Sequence, residues 1–203
     1  MSLDKLPFNW FDLMLVVVLA LGIYRGRKHG MSEELMSLIK WVVLVLACAL
    51  IYQPLGNAIS TGPAFGQLGG YLIAYAAVAL VVAAGFAGLK RAVGGKLLGS
   101  DVFGRSEFYL GMVAGLVRFA CILIAGLALL NARFYNPVEI KAGIAYQNDV
   151  YGSNFFPTLH NVQAQVFQTS LTGPWIRREL GSLLIKPTAP EKKQLKQKEY
   201  TLP

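Results

Sequence analysis

Arg118 is the most expensive side chain in this sequence to place. It stands some ten residues into an apolar stretch, and a guanidinium in the middle of such a stretch costs about 2.5–3.5 kcal/mol on insertion scales. A charge so placed faces other protein and takes a partner. Two carboxylates are candidates, Glu34 and Glu107. Glu107 precedes Arg118 on the same stretch and would lie about 16 Å away along a helix axis, so Glu34 is the expected partner. A buried structural pair and an ion or substrate site fit these residue types equally. Lys40 lies one to two turns inside a second apolar stretch, where its long stem can return the ammonium to the interface. Asp12 follows Trp10 and Phe11 at the start of a third. There it serves the free N–H groups of a helix start more readily than a proton relay.

The elements that must hold these charges are set by a gap in the charge pattern. From Trp41 to Leu89 there is no Asp, Glu, Lys or Arg, with Arg25, Arg27 and Lys28 before the gap and Lys90, Arg91 and Lys96 after it. A bilayer core takes roughly 20 apolar residues per helix, and the gap holds two such helices and a Pro- and Gly-bearing turn. The expected fold is therefore an all-α integral membrane protein with four transmembrane helices, 11–24, 35–52, 70–89 and 108–130, making a domain of residues 1–131. The first span is the shortest. Gln53-Pro54 is expected to end the second and Lys90-Arg91 the third. Gly94-Gly95 and Gly99 are expected to mark turns in the loop that follows.

Orientation follows from Lys and Arg in the short loops. The first-to-second loop carries Arg25, Arg27 and Lys28; the third-to-fourth carries Lys90, Arg91, Lys96 and Arg105; residues 53–69 carry none. Both basic loops then face the cytoplasm, and both termini lie outside. The N-terminus does not read as a cleaved signal, because its positive residues follow the apolar stretch instead of preceding it.

Past Asn131 the pattern weakens into a small C-terminal extramembrane or interfacial segment, 132–185, with short helices. Residues 132–157 read as an irregular connection. Leu159, Val162, Val166 and Leu171 recur near helical spacing. Gly173-Pro174 breaks that pattern, and Pro174 suits the first turn of a further short helix. Trp175, Ile176, Leu180, Leu183 and Leu184 would line one side of it. This segment is either an interfacial amphipathic helix or a small cap on the bundle. The Pro-, Lys- and Gln-rich stretch 186–203, with Lys186, Lys192, Lys193, Lys196 and Lys198, is expected to be a disordered basic tail.

The 203 residues carry a net charge of +8 and are 55% hydrophobic, with a mean hydropathy of +0.49. The basic residues cluster beside apolar spans rather than forming one face. They suit the lipid bilayer and its anionic lipids at the cytoplasmic loops, not nucleic acid. Cys48 and Cys121 lie inside apolar spans as packing residues, and no spacing suggests a metal or other cofactor. His29 and His160 fall on opposite sides of the membrane, and no Gly-rich loop precedes a Lys-Ser or Lys-Thr pair, so no enzyme is expected. Gly22, Gly26 and Gly30 recur every fourth residue, as do Gly111 and Gly115, a spacing that lets helix backbones approach closely in lipid.

These residues resemble a known family. Trp10-Phe11-Asp12 before a first span is similar to the opening of the colicin V production protein family. Arg25-Gly26-Arg27-Lys28-His29-Gly30 follows, then Glu34 with Ser37, Leu38 and Trp41. These are similar to the family's arginine-glycine repeat, its glutamate and its serine-leucine-x-x-tryptophan motif. Gly111, Gly115 and Arg118 match its glycine-x-x-x-glycine-x-x-arginine. The matches cover roughly residues 8–131. His29 stands where the family usually has a second arginine, Glu107-Phe108 where an acidic–arginine pair is common, and Phe119 where a glycine is usual.

The resemblance implies a bacterial inner-membrane protein linked to bacteriocin production or export, or more generally to envelope homeostasis. The expected role is non-enzymatic, through assembly as a homo-oligomer or with envelope or secretion proteins. The alternative is an oligomeric small channel or transporter subunit with a charged cavity around Arg118.

Overall fold

The computed structural model describes residues 8–62, 66–97, 104–152 and 158–189. Six α-helices follow in order: α1 Trp10–Ser60, α2 Gln67–Leu97, α3 Glu107–Asn131, α4 Pro137–Tyr151, α5 Leu159–Ala164 and α6 Gly173–Glu179. A π-helical turn, Gln165–Thr169, extends α5. The described residues form no sheet; their one β-bridge joins Arg133 to Thr188. Three helices, α1, α2 and α3, are long and apolar enough to cross a membrane.

α1 is one element only in name. Gly30, at φ 72° and ψ 173°, leaves helical geometry inside it, in a region open to glycine and strained for other residues. Contacts show that the chain turns back there. Gly22, Gly26 and Gly30 meet α3 progressively nearer its start, at Gly115, Gly111 and Glu107. A straight continuation would carry Glu34 past the start of α3, yet Glu34 reaches Arg118. At the far end of the same arm, the Tyr52 hydroxyl accepts from Lys186 N, next to Ile185, whose carbonyl accepts from Asn131 at the end of α3. The first arm, 10–29, thus runs antiparallel to α3 and the second arm, 31–60, runs alongside it. The expected loop at 25–34 is reduced to the break at Gly30, and Arg25, Arg27 and Lys28 lie on helix.

α2 packs on the second arm. Cys48 Sγ lies 3.6 Å from the Tyr75 carbonyl, and the rings of Tyr52 and Tyr71 meet edge-on at 5.6 Å. Side chains away from these contacts are large, apolar and exposed, among them Val17, Leu50, Leu80, Val81 and Val113. Such a surface would aggregate in water and is the ordinary surface of a helix in lipid. The chain is a membrane protein.

The end remote from Gly30 is closed by the C-terminal segment. Val166, Phe167, Ile176, Leu184 and Ile185 join Phe11, Tyr52, Tyr71 and Leu127 in one core. Backbone bonds from Phe134 N to Thr188 O (3.0 Å) and from Thr188 N to Ala132 O (2.9 Å) tie residue 188 to the end of α3.

Several expectations change. The second arm runs through Pro54 to Ser60, because losing one helix hydrogen bond is tolerated where neighbouring helices support the backbone. Gly94 and Gly95 lie within α2, not in a turn; Gly99 is outside the described residues. Residues 137–151 are helical, not irregular: the Asn136 side chain accepts from Val138 N, Pro137 opens the helix, and Gly152 closes it at φ 64°. α6 buries Ile176, while Trp175 is exposed. Lys186 to Ala189 are described, tied down by the backbone bonds of Lys186 and Thr188 but largely exposed; the rest of the expected disordered tail lies outside the described residues.

Candidate functional site

The first arm of α1 and α3 cross on bare backbone. A Cβ at Gly22 would come within 2.8 Å of the Gly115 carbonyl and 3.0 Å of Phe119 Cβ. A Cβ at Gly26 would run into the Gly111 carbonyl, and one at Gly111 or Gly115 into the carbonyl of Gly26 or Gly22. The exclusion is reciprocal, so the four glycines form a single contact in which no side chain separates the helices. Gly30 ends this line, with Glu107 Cγ 2.8 Å from where its Cβ would be.

Beside the crossing, Arg118 Nη1 donates to Glu34 Oε2. The side chains are 12% and 3% exposed, so the pair is shielded from water and lipid. Phe119 sets its ring 5.0 Å from the guanidinium and its Cβ against Gly22. Glu107 is not the partner of Arg118: its Oε1 accepts from Ser32 N at 3.4 Å, at the start of the second arm. The acid there also favours the positive end of that helix.

Asp12 lies at the opposite end of the bundle. It is the third residue of α1 in a reciprocal capping box with Asn9, each side chain accepting from the other's backbone N–H. Its oxygens also accept from Leu171 N (3.0 Å), Thr172 N (3.1 Å) and Thr172 Oγ1 (2.6 Å). Trp10 Nε1 donates to the Gln165 side chain, and Asn9 Nδ2 to the Gln165 carbonyl at 3.3 Å. The start of α1 is thereby stitched to the turn between α5 and α6. Asp12 and the Glu34–Arg118 pair do not meet.

Lys40 joins neither group. Its Nζ lies 5.4 Å from the Trp41 ring centre, and it lines a groove between the second arm and α2. Among the described residues no group of three His, Cys, Asp or Glu is placed to hold a metal.

Some contributors escape a reading of single motifs. Gly56 and Gly70 make a second close crossing, where a Cβ at Gly70 would lie 2.6 Å from the Gly56 carbonyl. Gly56 falls in the expected loop and Gly70 at the start of the third expected span, with no repeat to flag them. Ser170 accepts from Gly173 N at 2.8 Å and donates to the Val166 carbonyl at 2.6 Å, shaping the turn that offers Leu171 and Thr172 to Asp12. Its signal was only a Ser three residues before Gly173-Pro174.

With this geometry in view, comparison with known proteins adds one result. No match was found among curated proteins or solved structures. The family model described as colicin V production protein matches residues 11–164, which include the glycine crossing, the Glu34–Arg118 pair and Asp12, and the chain therefore belongs to the colicin V production protein family.

Proposed function

We propose that this chain is a bacterial inner-membrane protein whose two α1 arms, α2 and α3 make four spans, with both termini periplasmic and the Gly30 end cytoplasmic. It supports bacteriocin production or export, or envelope homeostasis, as an assembly component and not as a catalyst. Its partners are further copies of itself or envelope and secretion proteins. The observation that carries this reading is the pairing of the intramembrane charge. Glu34 accepts from Arg118 Nη1, while Arg118 Nε is buried with no hydrogen-bond partner among the described residues. The pair sits beside a backbone-on-backbone crossing, which is how a membrane protein fixes helix register. The four-span count is supported by the reversal at Gly30, and the orientation by Arg25, Arg27, Lys28 and Lys90 gathered at one end.

The channel alternative needs Arg118 to face an open pathway. The groove beside Lys40 includes neither Arg118 nor Glu34 among its lining residues, which favours the assembly reading.

Two measurements test it. Single cysteines at Lys28 and Thr61 are labelled with an impermeant maleimide in intact spheroplasts; native Cys48 and Cys121 are buried. Thr61→Cys should label at once and Lys28→Cys only after the membrane is opened. Solute flux is then measured in liposomes holding wild type or Arg118→Ala, with oligomeric state followed in parallel. No flux from a folded protein is expected. Flux that vanishes in an intact Arg118→Ala oligomer would replace the assembly role with a conducting one.

A further inference from the structure

The groove between the second arm and α2 has a volume of about 360 Å³. Its walls are apolar: Met36 and Ile39 on one side, Ala83, Phe86 and Ala87 on the other. Three charged residues also line it, Lys40, Lys90 and Glu33. The two helices run in opposite directions here, so Lys40 stands at the deep end and Lys90 nearer the mouth. Cα–Cβ bonds tilt toward a helix's own N-terminus. Lys40 therefore leans outward toward Gly30, and Lys90 leans inward toward the groove.

Neither lysine forms an ion pair among the described residues. Glu33 is exposed and offsets only one of the two positive charges. Ser32 Oγ, at the mouth, is buried and has no hydrogen-bond partner among the described residues. Apolar walls lined at two levels by lysines without an ion-pair partner among the described residues suit a molecule that is anionic at one end and hydrocarbon at the other. A cytoplasmic leaflet supplies that chemistry as phospholipid.

We propose that this groove is a site for one anionic phospholipid, its phosphate held between Lys40 and Lys90 and an acyl chain lying along Ile39 and Phe86. The lipid would fill the seam between the second arm and α2 where their side chains do not meet. The site rests on the membrane reading above and gives it a defined lipid partner.

The test is native mass spectrometry of the full chain, delipidated in detergent and titrated with phosphatidylglycerol or phosphatidylcholine. One phosphatidylglycerol per chain should be retained, at least tenfold more tightly than phosphatidylcholine. Removing charge near a phosphate weakens binding about fivefold per lysine, so Lys40→Gln with Lys90→Gln should weaken it about 25-fold. Arg25→Gln with Lys28→Gln, at the same end but outside the groove, should change it less than twofold. Ala83→Trp keeps both charges and fills the groove, and should also lose the lipid while melting normally.

Equal retention of the two lipids would overturn the site. So would an equal loss in the Arg25/Lys28 variant, or full retention in Ala83→Trp. Binding in detergent does not depend on orientation. Labelling that placed Lys28 outside would therefore sink the topology and leave this result standing.

Discussion

The two ends of the helix bundle each bury a carboxylate and satisfy it by different means. At the Gly30 end Glu34 meets a full positive charge, Arg118, across two membrane-spanning segments. At the other end Asp12 meets no cation among the described residues; Asn9 N, Leu171 N, Thr172 N and Thr172 Oγ1 all donate to it. An ion pair fixes where two long helices lie relative to each other and needs only two side chains. A nest of donors requires a particular backbone shape, so it reports whether the C-terminal segment is folded against α1. One end registers spans, and the other docks a cap.

The largest effect should come from splitting the ion pair. Glu34→Gln or Arg118→Ala leaves one buried charge unanswered, a loss of about 3–5 kcal/mol. Replacing both with apolar residues of similar size, Glu34→Leu with Arg118→Met, should recover most of it. Unfolding midpoints in mixed micelles measure this. If the double variant is no better than the singles, Arg118 has a role beyond pairing, and the contrast with Asp12 loses its basis.

Gly26→Leu comes next. Its side chain would enter the Gly111 carbonyl, where neither helix can yield without separating, and overpacking of this kind costs about 3 kcal/mol. Gly88→Leu is the control, because nothing lies within 4 Å of where its Cβ would sit; it should stay within about 0.5 kcal/mol of wild type. Equal losses in the two variants would mean that glycine flexibility, not close approach, is what the crossing needs.

Asp12→Asn should remove about 2 kcal/mol by weakening charge-assisted hydrogen bonds, with the damage confined to the cap. Hydrogen exchange should rise in residues 165–185 and stay unchanged in α3 around Gly111 and Gly115. Exchange rising equally at both ends would show that cap and spans unfold as one unit.

The contrast between the ends also explains what the sequence made legible. Charge in a lipid-facing stretch is so costly that Arg118 demands a partner, and few acids lie within reach, so Glu34 could be named. Close packing in lipid favours glycine every fourth residue, so the α1–α3 crossing left a repeat. The cap obeys weaker rules. Asp12 could be assigned to the start of α1, but Leu171 and Thr172 donate through backbone and a hydroxyl, which carry no compositional signal. α4 was missed for a similar reason: it is held by Asn136, Pro137 and Gly152 at its ends rather than by an apolar face. The reversal at Gly30 was half legible, since basic residues marked a boundary there but gave no hint that one residue would suffice for the turn.

The smallest effect separates the side-chain donor from the backbone donors. Thr172→Val keeps the shape of the residue and both N–H groups that reach Asp12, and removes only Oγ1, whose 2.6 Å bond is the shortest of the four. One hydrogen bond to a charged acceptor near the membrane surface should be worth about 1.5 kcal/mol at most, so the cap should loosen less than in Asp12→Asn. Residues in direct contact do not act additively. Thr172→Val introduced into the Asp12→Asn background should therefore cost less than it does alone, read from hydrogen exchange at residues 165–185. Full additivity would mean that Oγ1 supports the turn through some other contact. In that case the backbone of 171–172, shaped by Ser170 and Gly173, holds the carboxylate without it.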